Sequence, residues 1–236
     1  MSGIVEQIRA DLKANANEKV KQGFERFFKE PIKVYGLKTP VVRKIALKYW
    51  PCVRVLGKAE LFGVCEELLG SDFCEEAFVV SVWLPNCVDC FVPGDLVVFR
   101  RWVELYVDNW AKCDSFCNHT VGGLIEKFPE LVGELVGWAK SENRWLRRGA
   151  AVSLIVPAKR GLFLREAFEV CDVLLLDGDD LVQKGYGWLL KEESRLHQRE
   201  VFDYVVLHRR VMPRTALRYA VELMPKELKA QAMMKN

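Results

Sequence analysis

No uninterrupted apolar stretch in this chain approaches the roughly 18 residues that a membrane-spanning helix requires. The opening residues, MSGIVEQIRADLKANANEKV, mix both charge signs and lack an apolar h-region, so no signal peptide is expected. Together these absences exclude a helical membrane protein and predict a cytoplasmic one; a monomer is expected. A large excess of one charge is missing as well: 35 Lys and Arg face 32 Asp and Glu, a net charge of +3. Alternation of polar and apolar residues, the mark of a half-buried strand, is scarce. What is present is 50% hydrophobic and 28% charged over 236 residues, enough for a sizeable core.

The charges are segregated. Residues 1–59 hold 13 basic against 5 acidic side chains, residues 60–141 hold 5 against 14, and residues 142–236 hold 17 against 13. Two basic ends around an acidic middle suit a polyanion held from two sides; charge alone favours the plainer reading of ordinary solvated helix faces. The eight cysteines are read as free thiols packed as small hydrophobes. CVDC (87–90) and CDSFC (113–117) have loosely metal-like spacing, but Cys113 to Cys117 is also a helical step suited to packing. No metal and no cofactor is expected.

Helical periodicity runs through almost the whole chain. In KTPVVRKIALKYW (38–50), Thr39 is a candidate N-cap and Pro40 opens the helix, with Val42, Ile45, Ala46 and Tyr49 on one face. Further helices are predicted over 3–15, 18–29, 58–70, 73–84, 94–108, 129–140, 144–156, 161–176, 179–193, 196–209, 212–224 and 226–234. Pro51, Gly70, LPN, VPGD, Pro129, Pro157, DGDD and MPR punctuate them. FVVSVWL and VCDVLLL are ambiguous with buried strands, and their helical neighbours favour helix. The expected fold is all-α, a single domain over 1–236 built as a HEAT-like helical-repeat solenoid with a concave face. WLRRGAAVSL, LVQKGYGWLL and VMPRTALRYA align as repeats. Each has a basic residue at its fourth position, Arg148, Lys184 and Arg214, and Arg43 lies in a similar setting. Such cations are expected to line one surface, joined by Trp188 and Arg218 one helical turn further on.

In NWAKCDSF (109–116), Trp110 and Asp114 are four residues apart and share one helix face. Core packing does not ordinarily place an indole and a carboxylate together. The bland alternative is piecewise: buried indoles, an Asp114 that caps a segment or pairs with Arg148, and solvated cations.

Five ordered stretches, YGLKTPVVRKIA (35–46), WAKCDS (110–115), RWLRRGAAV (144–152), VQKGYGWLLKE (182–192) and MPRTALRYA (212–220), resemble the DNA alkylation repair enzymes. These are HEAT-like helical-repeat DNA glycosylases. The resemblance implies a monofunctional enzyme that excises cationic N3- and N7-alkylated purines from double-stranded DNA without a base-flipping pocket. It implies that Asp114 is the catalytic carboxylate and that Trp110 and Trp188 contact the deoxyribose. It also places Arg148, Thr39 and Arg43 near the DNA backbone. Lys191 stands where the family leads one to expect arginine, which keeps the charge but loses the bidentate fork. Two other readings stay open: a non-catalytic binder of distorted or branched DNA, and a HEAT-type protein adaptor.

Overall fold

The computed structural model describes residues 2–234, and among them the chain is helical with no named strand. It divides into two compact units, Met1–Phe116 and Cys117–Asn236.

The first unit contains α1 (Ser2–Ala14), α2 (Glu18–Phe27), α3 (Thr39–Val53), α4 (Lys58–Leu69), α5 (Cys74–Trp83), a 3-10 helix (Leu84–Cys90), α6 (Asp95–Tyr106) and α7 (Trp110–Phe116). Helix α1 packs on α3, α3 on α5, and α5 on α7, while α4 packs on α5 and α6. The apolar stripe predicted for α3 is the buried one: Val42, Ile45, Ala46 and Tyr49, continued by Val53. Burying one such side chain contributes about 1.5–3 kcal/mol. The Trp83 indole is fully buried and donates to the Ala46 carbonyl at 2.8 Å, which ties α5 to α3. Phe62, Phe91, Phe99, Trp102 and Phe116 form an aromatic cluster, with Phe99 meeting Phe91 edge-on at 5.1 Å and Phe116 at 5.6 Å.

The second unit begins with a single π-turn (Cys117–Val121). It continues through α8 (Gly122–Lys127), a 3-10 turn (Pro129–Leu131), α9 (Glu134–Ala139), α10 (Arg144–Val152), α11 (Ile155–Ala158) and α12 (Leu164–Leu174). It ends with α13 (Asp180–Glu193), α14 (Gln198–His208), α15 (Arg214–Ala220) and α16 (Lys226–Met233). Helices α10, α13 and α15 pack in succession, and α9 lies on α12 and α14 on α16. The three segments aligned as repeats therefore occupy successive places in one row.

Helix boundaries depart from expectation in a few places. Lys38, not Thr39, is the N-cap of α3; Thr39 is its first residue, and no side chain caps the helix. Pro51 and Pro157 lie inside α3 and α11 rather than between helices. Pro51 is close to the end of α3, where one missing N–H costs little more than the fraying already there. FVVSVWL and VCDVLLL fall largely in α5 and α12.

Candidate active site

Helix α7 starts abruptly because Asn109 caps it. The Asn109 side-chain oxygen accepts from the amides of Ala111 and Lys112, each at 3.0 Å. Its amide nitrogen donates to the Asp108 carboxylate at 2.7 Å and to Cys74 Sγ at 3.3 Å, which anchors the cap on α5. Lys112, Cys113 and Phe116 turn into the unit. The buried ammonium of Lys112 is matched by Asp108 at 3.0 Å, and its approach to the Tyr106 carbonyl further fixes the start of the helix. With those three positions taken by the core, Trp110 and Asp114 share the remaining side, and both are half-exposed.

The Trp110 ring is held from α2. Phe28 stacks on it with ring centroids 5.2 Å apart and planes 11° from parallel, and Phe27 meets it edge-on at 6.0 Å. These rings, with Phe24, Phe78, Val34 and Thr39, line a mainly apolar cavity of about 150 Å³. Thr39 and Trp110 are therefore brought together, and Arg43 is exposed one turn further along α3.

Two acidic residues at the start of α5, which sequence reasoning passed over, position this region. The Glu75 carboxylate accepts backbone N–H groups from Tyr35 (3.0 Å), Gly36 (2.8 Å) and Leu37 (3.0 Å). Glu76 accepts the Tyr35 hydroxyl at 2.7 Å and Arg9 Nε at 3.0 Å. Burial, with the adjoining Glu76, pushes the Tyr35 hydroxyl far above the ordinary phenol range. Gly36 has φ +94°, and a Cβ there would lie 2.4 Å from the Asn17 carbonyl oxygen, so the loop sits tightly against the start of α2. The signal was available in CEEAFVVSVW: two carboxylates in the first turn of an otherwise apolar helix.

In the second unit, Asp179 caps α13 by accepting from the Leu181 amide at 2.9 Å. Trp188 is half-exposed, and its indole N–H donates to Glu192 at 3.1 Å. Burial works against the Glu192 carboxylate, yet hydrogen bonds from Arg195 and Trp188 hold it below its ordinary value. Lys184 pairs with Asp180 at 3.0 Å. Lys191 pairs with Glu222 at 3.2 Å and lies over the Tyr219 ring. Arg214 and Arg218 are exposed on α15, and Arg214 reaches the Met233 carbonyl at 3.4 Å.

Arg148 departs from the surface row expected of these cations. It is only 5% exposed, and its guanidinium donates to the Leu181 carbonyl beside Gly185. A Cβ on Gly185 would lie 3.3 Å from Arg148 Cγ, so a side chain there would crowd the arginine. Gly187 serves α15 in the same way: a Cβ there would lie 2.8 Å from the Ala216 carbonyl oxygen. The glycines of KGYGW thus let α13 approach both neighbours in its row. Among the described residues, no group of three His, Cys, Asp or Glu side chains is arranged to hold a metal ion.

The family profile described as DNA alkylation repair enzyme matches residues 8–224. A solved structure described as a predicted DNA alkylation repair enzyme from Enterococcus faecalis superposes with a TM-score of 0.80 at 16% identity, covering 90% of this chain and 98% of that one. No curated protein matches the chain. Because the profile spans nearly the whole chain, the chain belongs to the DNA alkylation repair enzyme family.

Proposed function

We propose that the protein is a monofunctional DNA glycosylase that releases cationic N3- and N7-alkylated purines from duplex DNA. The observation that carries this reading is the shared half-exposed face of α7, with a ring-stacked indole at Trp110 and a carboxylate at Asp114. Alkylation at N3 or N7 leaves the purine cationic, so it is already a good leaving group. As the glycosidic bond lengthens, positive charge develops on the sugar. The Asp114 carboxylate stabilises that charge and orients the attacking water. The indole face of Trp110 is electron-rich and attracts the same cation, and Trp188 offers a second such face for contact with deoxyribose. Arg43, Arg214 and Arg218 neutralise phosphates without reading sequence, with Thr39, Lys184 and Lys191 as further backbone contacts. Arg148 acts from beneath, by holding the start of α13 that carries Trp188.

The test is single-turnover release of 7-methylguanine at saturating enzyme, compared with Asp114→Asn. The expected loss is about 10²–10³-fold in rate, the order seen when one electrostatic stabiliser is removed. Duplex affinity stays equal or rises, because a carboxylate repels phosphate. Tight binding of distorted duplex with no release by the wild type would instead identify a non-catalytic DNA binder.

A further inference from the structure

The 3-10 helix Leu84–Cys90, LPNCVDC, carries a pair of thiols that the DNA chemistry does not use. In a 3-10 helix the side chains at i and i+3 eclipse, so Cys87 and Cys90 fall on the same edge. Three residues at that rise separate their Cα atoms by about 6 Å, within the span a disulfide bridges. The Cys90 thiol is near enough to Cys87 to help raise its pKa. Cys87 Sγ also points to the Trp83 carbonyl at 3.6 Å. Both cysteines line an open cleft of about 430 Å³, together with Trp50, Arg54, Lys58 and Asp89. We propose that Cys87 and Cys90 are a redox-active dithiol that exchanges with low-molecular-weight disulfides bearing carboxylates, closing to an intrachain disulfide.

The two sulfurs are unequal in a way that assigns their roles. Cys90 is exposed and ends the helix; the next residue, Phe91, is already extended. Cys87 is half-buried, and burial, then the neighbouring Cys90, pushes its thiol up to about 12. Cys90 is therefore the attacking group. Its thiolate bonds to one sulfur of the small disulfide, the S–S bond breaks, and the departing thiolate takes up a proton. Once Cys90 is a mixed disulfide its charge is gone, and one cause of the raised Cys87 value goes with it. Cys87 then loses its proton to solvent and attacks the Cys90 sulfur, expelling the second small thiol. Two protein thiols are oxidised and one small disulfide is reduced to two thiols, with no other oxidant needed. The exposed guanidinium of Arg54 and the Lys58 ammonium, which is paired with Asp95, flank the cleft where the carboxylates of the small disulfide sit. Cys65 lies behind Cys87 but is fully buried, and burial pushes its thiol well above the ordinary range. Cys52 is exposed on α3 outside the pair and serves as an internal control.

The experiment treats the full chain with oxidised glutathione, alkylates the remaining thiols, and locates the products by fragment mass spectrometry. In the wild type, the expected product lacks two hydrogens between residues 87 and 90 and is restored by reduced glutathione. Cys87→Ser is expected to trap glutathione on Cys90. Cys90→Ser leaves Cys87 an alkylatable thiol. Circular dichroism of both variants verifies the fold, and Cys87→Ala substitutes if Cys87→Ser is unfolded. The proposal is overturned if the wild type stops at a glutathione adduct on Cys90, as a lone exposed thiol such as Cys52 does. It is equally overturned if Cys87 stays alkylatable throughout.

Discussion

Phe28 lies flat on Trp110, with centroids 5.2 Å apart and ring planes within 11° of parallel. One face of the indole is thereby occupied, and its orientation is set by the end of α2. Replacing Phe28 by Leu keeps the site apolar but removes the stack, a contact worth about 0.5–1.5 kcal/mol. Single-turnover release of 7-methylguanine is expected to slow by about 3- to 10-fold, with duplex affinity nearly unchanged. An unchanged rate in a normally folded variant would show that Trp110 needs no such support.

Duplex binding is expected to be insensitive to sequence and steeply dependent on salt. Arg43, Arg214 and Arg218 are exposed, whereas Lys184 and Lys191 already have carboxylate partners. Three phosphates neutralised give a log–log slope of about −3, and Arg43→Ala should lower its magnitude by about 1. Fluorescence anisotropy across a salt series measures both. Arg148→Ala is expected to act on stability instead, by about 1 kcal/mol, because it removes a buried side chain and strips the half-buried Leu181 carbonyl of a donor.

Glu193 on α13 is fully buried, and neither carboxyl oxygen has a hydrogen-bond partner among the described residues. Burial pushes this carboxyl from its ordinary value of 4.5 up to about 7. A raised folded-state value means that its contribution to stability is fully present below pH 4.5 and is lost as pH rises through 7. Glu193→Gln removes that dependence. The variant should melt higher than wild type above pH 7, with the gap closing toward pH 5. Thermal melts of both proteins at pH 5, 6, 7 and 8 check it, and a constant gap would contradict it.

Gly187→Ala tests the contact between α13 and α15. Alanine favours an isolated helix by about 1 kcal/mol, but here its Cβ would lie 2.8 Å from a backbone oxygen and 3.0 Å from the Ala216 Cα. Backbone gives way less readily than a flexible side chain, so overpacking wins. A net loss of about 1–3 kcal/mol is expected in chemical denaturation.

Most helices were legible from the sequence, because a buried stripe must recur at helical spacing and proline and glycine mark the gaps. The shared face of Trp110 and Asp114 was legible for the same reason: it depends only on local spacing. The partners of that face were not. Phe27 and Phe28 come from a distant helix, and only the packed fold brings them onto Trp110. The burial of Arg148 was hidden because it depends on close packing against Gly185, on another helix. LPN at 84–86 read as punctuation, yet Pro85 can open a 3-10 turn as well as break a helix.

The carboxylate of Glu75 closes three backbone N–H groups that no helix or strand provides for. This makes residues 35–37 a hinge that has been pinned shut. Loss of that single carboxylate would release the segment linking α2 to α3. Helix α1 stays packed on α3, but the end of α2 would lose its seat and draw Phe27 and Phe28 off the indole. The orientation of Trp110 thus depends in part on an acidic residue at the start of another helix, Glu75.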